Sequence, residues 1–340
     1  MFRRIFALLL CIAMLMTGVA CRENGPGNGQ ADPPQTEDNE PPPPPPEFPV
    51  VVGGTTVASR PGRVVSLSPA LTEKIFDLGL ESRLVGVSDF CDYPAGALGL
   101  DACGTAQLPD IYTISRLRAH LVLSEIPLFP DDMDELSRLN INVVIIPRAQ
   151  SLNELWNSYI ALARMFEGEH AGQHMGDMFA DIVGAWLESL GEAVRNEMHA
   201  DEDSPGAPYA LYLRMLPFTV ATGDTLESDL MQLIGLINIA ADQSGWHYPE
   251  ELAAGYSLEE FQAVQILIFD ENYITPEDLS ENEFFGALPA VTSESYMIID
   301  SAVMERQSLR TFEQLLDMAR YVWPEADFPR WPPRIAFTLH

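Results

Sequence analysis

The stretch "RVVSLSPALTEKIFDLG" (Arg63–Gly79) decides how this chain is to be folded. It opens as a short β-branched run at Val64 and Val65, and Leu71, Ile75 and Leu78 then recur at helical spacing, so a strand hands over to a helix at Ser68-Pro69. Ser68 is a favourable N-cap, and Pro69 suits a first helical position, where an N–H would find no partner anyway. Glu73 complements the positive end of the helix, and Gly79 stands where a left-handed residue ends one. The junction can be a simple cap, a helix N-terminus that turns free N–H groups toward a ligand, or a strand-to-helix elbow carrying a serine nucleophile. The third reading wants G-x-S-x-G and a partnered histidine, whereas Ser68 is flanked by Leu67 and Pro69. A cap and a ligand-facing turn remain.

Outward from that stretch the same alternation continues. "RLVGVSD" (83–89), "HLVLSE" (120–125) and "NVVIIP" (142–147) are apolar runs separated by helical patterns, which imply a parallel sheet covered on both faces. A second series, "YALYLR" (209–214), "TVATG" (219–223), "ILIFDE" (266–271) and "YMIIDS" (296–301), repeats the arrangement. Between the series a capping box, Ser151-x-x-Glu154, opens a helical region that Gly168 divides into a shorter and a longer helix. The longer one, at 1.5 Å per residue over roughly 30 residues, would run about 45 Å. The fold class is therefore α/β: two lobes with mainly parallel sheets, joined by a single long α-helix, with a cleft between the lobes. The N-terminal lobe is placed at 50–150, the connecting helices at 151–200 and the C-terminal lobe at 201–323.

The chain has 340 residues, of which 47% are apolar, enough for a large core. Its first 21 residues have the basic start, short apolar stretch and small residues of an export signal. Gly18-Val19-Ala20-Cys21 resembles a bacterial lipobox with Gly18 in place of the usual Leu, making Cys21 the lipid-bearing residue and placing the protein on the outer face of the cell membrane. Residues 22–49, with six consecutive prolines from Pro41 to Pro46, cannot bury enough surface to fold and read as a disordered tether stiffened by polyproline II. The formal charge is −31, and losing Arg3 and Arg4 with residues 1–20 leaves −33. Lys74 is the only lysine, so nucleic acid is excluded as a partner. In the exported part Cys91 and Cys103 remain, and two thiols in an oxidising compartment, separated by a short loop, predict a disulfide. His170 and His174 stand at i, i+4 on the long helix and read as solvated; no metal site and no resident cofactor are expected. The tail 324–340 is proline-rich and then apolar, an extended segment laid against a lobe.

Taken together, "RVVSLSPALTEKIFDLGLESRLVGVSDFCDYP", "LSRLNINVVIIP", "FTVATGDTLESDLMQLIGLINIA" and "YSLEEFQAVQILIF" resemble the substrate-binding lipoproteins of ABC importers for cobalamin, haem and iron siderophores. Of these the cobalamin-binding branch is the most similar. The resemblance implies a monomer without enzymatic activity that captures a bulky metal chelate, a corrinoid first and a ferric siderophore or haem second, and delivers it to an ABC permease. A sensor or adhesion lipoprotein that kept the fold without transport is a further reading. In the family the turn after the first strand faces the cleft, which implies Ser68 and Pro69 as ligand-binding residues. Broad apolar faces for a chelate are expected from Phe90, Tyr93, Ile126 and Phe129 in lobe one, and from Phe218, Trp246 and His247 in lobe two. Thr105 and Ala106 fill a place where the cobalamin branch often carries an aromatic residue. For permease docking the resemblance implies Glu259 on the second lobe; the first-lobe position falls on Tyr112, with Asp110 nearby.

Overall fold

The folded chain opens with a hairpin that the strand patterns did not announce: β1 (Val50–Val52) pairs antiparallel with β2 (Thr55–Val57). Gly53 and Gly54 join them at positive φ of 54° and 75°, which adjacent glycines supply without steric penalty. A Cβ at Gly53 would overlap the Ile145 carbonyl, so the turn also lies tight against the first lobe. The computed structural model describes residues 46–199, 206–214, 218–249 and 258–331; Cys21, nearly all of the tether and residues 332–340 of the tail lie outside the described residues. Among the described residues no helix is long and apolar enough to cross a membrane.

Lobe one follows the expected alternation. β3 (Val64–Ser66), α1 (Pro69–Asp77), β4 (Leu84–Val87), β5 (Asp101–Ala102), α2 (Ile111–Arg116), β6 (Leu121–Ser124), α3 (Pro130–Arg138) and β7 (Asn142–Ile145) build a parallel sheet of order β5-β4-β3-β6-β7. Successive strand residues point to opposite faces: Val64 joins the core shared with α1, while Val65 joins the one under α2 and α3. Strand order runs outward from β3 to β5 and then resumes at β6 on the other side of β3. The topological switch point, where α/β sheets open a crevice, therefore lies between β3 and β6.

This alternation of faces also corrects the disulfide. Cys91 and Cys103 are free thiols. Cys103 is buried beneath the sheet against Gly86 and Leu117, whereas the Cys91 Sγ meets Thr72 Oγ1 of α1 at 3.4 Å, on the other face. Burial pushes the Cys103 thiol up to about 12 and raises that of Cys91 as well, so both keep their protons.

The connecting helices are α4 (Leu152–Glu167) and α5 (Glu169–Met198), 16 and 30 residues long, divided at Gly168 with φ +104°. Ser151 caps α4 by accepting from the Glu154 N–H (3.2 Å), while the Glu154 carboxylate reaches one residue further back, to the Gln150 N–H (2.8 Å). The α5 N-terminus is capped from outside. Glu47, at the end of the tether, accepts from the His170 and Ala171 N–H groups at 2.8 and 3.2 Å, and these bonds hold its carboxyl below the usual range. The two helices touch backbone to backbone at Gly172, where a Cβ would fall 2.4 Å from Arg164 Cα.

Lobe two comprises β8 (Tyr209–Arg214), β9 (Thr219–Ala221), α6 (Leu226–Leu233), β10 (Ile237–Asn238), β11 (Trp246–His247), α7 (Leu258–Gln262), β12 (Val264–Phe269), α8 (Pro276–Glu281), α9 (Pro289–Thr292), β13 (Tyr296–Ile298), α10 (Ser301–Arg306) and α11 (Leu309–Val322). Its sheet order is β11-β9-β8-β12-β13, with β10 also paired to β8. Here β9 and β11 run antiparallel. "YALYLR" and "TVATG" are joined by too few residues for a crossover helix, so the second must return beside the first as a hairpin. The tail, through Trp331, lies on the long helix. Trp186 Nε1 donates to the Arg330 carbonyl (3.1 Å), and the Trp186 and Trp331 rings meet edge to face at 4.4 Å.

Candidate functional site

The carboxyl ends of the strands in both sheets converge on one cavity of about 630 Å³. From lobe one it is lined by Ser68 and Pro69 after β3, Ser88 and Phe90 after β4, Thr105 and Ala106 after β5, and Glu125 and Ile126 after β6; from lobe two by Tyr273 after β12 and by Ser301, Glu305 and Arg306 of α10. Its size lies in the range of small-molecule sites. Phe90 is 68% exposed and offers its ring to the opening.

At the switch point the Ser68 hydroxyl is held by two hydrogen bonds. Its oxygen accepts from the Leu71 N–H (3.1 Å) and its hydrogen goes to Glu125 Oε2 (2.7 Å). Ser68 thus caps α1 and holds the carboxylate at the end of the neighbouring strand. On the lobe-two side Asp270, following β12, accepts from the Ser301 N–H (2.9 Å) and hydroxyl (2.7 Å) and from Asn272, which fixes the start of α10. Burial favours its neutral form, but these bonds prevail and keep the carboxyl below its ordinary range.

The charges around the cavity are mostly paired. Arg214 holds Glu305 at 2.9 Å, and Arg148 bridges Glu227 at 3.2 Å and Glu305 at 3.8 Å. Arg306 crosses from lobe two to Asp92 of lobe one at 3.3 Å. Behind the cavity wall, Glu73 on α1 is 1% exposed and gathers three groups from lobe two: a two-pronged bond from Arg310 (2.8 and 3.2 Å), the Ser308 hydroxyl (2.7 Å) and the Arg306 guanidinium (3.5 Å). Lys74 beside it is buried and donates to Ser158 Oγ (2.9 Å). Burial pushes its ammonium down to about 8, against the charges of Glu125 and Asp77.

Asp77, one helical turn on, accepts from the Tyr159 hydroxyl (2.7 Å) and the Leu309 N–H (3.0 Å) through the same oxygen, and burial pushes it up to about 7. Its folded value stands above the 3.8 of the free group, so its contribution to stability is full below about pH 4 and is lost as pH rises through 7. Because the residue is only partly shielded from solvent, the loss should be about 2 kcal/mol. Asp77→Asn keeps an acceptor for both bonds and removes the titration. Urea unfolding of both proteins at pH 4.5 and pH 7.5 should show a fall in the parent that is smaller by this amount in the variant; equal falls would mean Asp77 does not titrate in that window.

The expected site residues divide by position. Ser68, Pro69, Phe90 and Ile126 come together at the cavity, joined by Thr105 and Ala106. Tyr93 lies under the Arg310 guanidinium, 4.1 Å from its ring, and Phe129, 61% exposed, opens α3 on the surface. Phe218 is buried in the lobe-two core, edge-on to Phe285 at 5.2 Å. Trp246 carries Arg214 over its ring at 5.1 Å and leans on Tyr212, and a His247 ring nitrogen sits 2.7 Å from the Ser244 carbonyl; neither lines the cavity. Asp110 caps α2 by accepting from the Thr113 N–H (2.9 Å), which holds its carboxyl low, and Tyr112 beside it is 78% exposed. Glu259 belongs to α7, and its side chain lies outside the described residues. Among the described residues no cluster of three or more His, Cys, Asp or Glu side chains could hold a metal ion. Sequence reasoning missed Glu125, Asp92, Tyr273, Glu305 and Arg306; the one available signal was their place just after the carboxyl ends of strands or in the helix that follows β13.

No family model matches the chain. It is 23% identical to the uncharacterized ABC transporter substrate-binding lipoprotein YvrC of Bacillus subtilis, over 94% of this chain and 97% of that protein. It is 22% identical to the vitamin B12-binding protein of Vibrio cholerae, over 76% of this chain and 88% of the other. The periplasmic haem-binding protein of Pseudomonas aeruginosa has the same fold, with a TM-score of 0.64 at 18% identity over 78% of this chain and 94% of that one. The first of these relatives is thus named as a substrate-binding protein of an ABC transporter and the second as a vitamin B12-binding protein, while the structural likeness shows a shared fold.

Proposed function

We propose that this chain is a membrane-tethered substrate-binding lipoprotein of an ABC importer, anchored through Cys21, which captures a bulky metal chelate and delivers it to a permease. The observation that carries the reading is the cavity walled by the strand ends of both lobes. A ligand seated there touches Ser68, Phe90 and Ile126 on one side and Tyr273 and Arg306 on the other, so its binding is coupled to how the lobes meet. A corrinoid is the first ligand in this reading. It is broad, largely apolar on its faces and bears neutral amides at its edge, which suits exposed Phe90 and Tyr273 beside a few polar groups. Haem or a ferric siderophore is the second, favoured by the haem-binding structural neighbour. Trp246, with His247 next to it on β11, supports the lobe-two wall through Arg214, which lies over its ring and holds Glu305, and Asp110 and Glu259 are the docking carboxylates.

The test is titration of the full chain, solubilised in detergent, with cyanocobalamin, following tryptophan fluorescence. Saturable submicromolar binding is expected, and Phe90→Ala should weaken it about tenfold, the effect of losing one exposed aromatic contact. Absence of binding by cyanocobalamin, haem and ferric siderophores alike would sink the chelate reading.

A further inference from the structure

We infer that Glu125, positioned by Ser68, is the specificity-determining group of the cavity, and that it selects chelates presenting N–H donors over chelates presenting carboxylates. The inference rests on the proposed chelate-binding function and says which class of chelate the cavity takes.

Three carboxylates line the cavity: Asp92, Glu125 and Glu305. Asp92 is held by Arg306, and Glu305 by Arg214 and Arg148. Among the described residues Glu125 makes no ion pair; its one hydrogen bond is the one it accepts from the Ser68 hydroxyl. Lys74 lies within the field of Glu125 but donates to Ser158. An ionised carboxylate has about four acceptor sites. Glu125 therefore brings to the cavity free acceptor capacity and a negative charge that, among the described residues, no cation touches directly; buried Lys74 offsets part of that charge from a distance. Ser68 cannot donate to a ligand, because its hydrogen is spent on Glu125, and one of its two lone pairs is taken by the Leu71 N–H. Its role is to aim the carboxylate.

The cationic side of the cavity does not reverse this. Arg306 bonds Asp92 and reaches the Phe90 carbonyl at 3.5 Å, and its Nε, which has no hydrogen-bond partner among the described residues, lies 3.5 Å from the Glu73 carboxylate, so its charge is balanced by two lobe-one carboxylates. A ligand with amide or ammonium groups satisfies Glu125. One with carboxylates meets an unpaired like charge inside a site partly shielded from water.

Cyanocobalamin, which carries primary amides at the ring edge, and haem, which carries two carboxylates, serve as probes on the full chain and on Glu125→Gln. The glutamine keeps the shape and one acceptor but removes the charge. It should weaken cyanocobalamin about tenfold, as expected for replacing a charge-assisted bond by a neutral one, and should tighten haem severalfold. Ser68→Ala should shift both ligands in the same directions by less. The double variant should fall short of the product of the two effects, because both act through one carboxylate. Opposite shifts for the two ligands cannot arise from a merely distorted site, and thermal unfolding of each variant checks that the fold persists. Parallel shifts, or none, with cyanocobalamin still bound by the parent, would overturn the role of Glu125 and leave the chelate reading intact. If the parent binds neither probe, nor a ferric siderophore, the chelate reading falls and the inference falls with it.

Discussion

Glu73→Ala is expected to destabilise the protein by about 3–5 kcal/mol, the cost of removing one partner from a buried ion pair. Glu73 is 1% exposed and receives Arg310 through two nitrogens, the Ser308 hydroxyl and, more distantly, Arg306. Without it, two guanidinium groups of lobe two face lobe one with no buried counter-charge. Arg310 keeps the Tyr93 ring at 4.1 Å, which recovers only part of the loss. For a chain of this size the melting temperature should fall by roughly 5–10 °C, read by calorimetry. Removing Arg310 as well should restore part of the stability, because the stranded charge goes with it. A fall below about 1 kcal/mol for the single variant would show that water reaches Arg306 and Arg310 freely.

Phe179→Ala should cost a similar amount, about 3–5 kcal/mol, through a different mechanism. Phe179 is fully buried on α5 and stacks on Tyr159 of α4 with ring centroids 4.1 Å apart; the Tyr159 hydroxyl in turn donates to Asp77 of α1. Truncation leaves a cavity where the long helix, its shorter partner and lobe one meet. It also releases the ring that aims a hydroxyl at a half-buried carboxylate. Urea unfolding should report the loss as a lower midpoint at unchanged slope. Phe179→Leu, which refills most of the volume, should recover more than half. If the two variants lose equally, stacking on Tyr159 rather than volume governs the site.

Much of this architecture was legible because its causes are local. Ser68-Pro69 starts a helix wherever it is placed, since cap and proline act within one turn. Gly168 divides two helices because the left-handed region is open to it. Apolar runs alternating with helical patterns imply a parallel sheet through burial on both faces, and that reading holds for lobe one. It fails at one edge of lobe two, where β8 and β9 lie too close in sequence for a crossover, and it passes over β1 and β2, whose strands are only three residues long.

Side-chain partnerships were not legible. Ser308 and Glu73 meet across 235 positions of sequence, Arg306 and Asp92 across 214, and Ser68 and Glu125 across 57. No periodicity encodes such pairs, because each exists only after two elements have packed. For the same reason Phe90 is presented at the cleft while Phe218, equally aromatic, fills a core. Cys91 and Cys103, near in sequence, are parted by a sheet. The amino-acid order by itself determined the main alternation of strands and helices and the starts of α1 and α4, since those follow from steric and capping effects a few residues long. Only the tertiary structure decided which of the described carboxylates lining the cavity makes no ion pair, since pairing is set by the distances that packing imposes between charges remote in sequence.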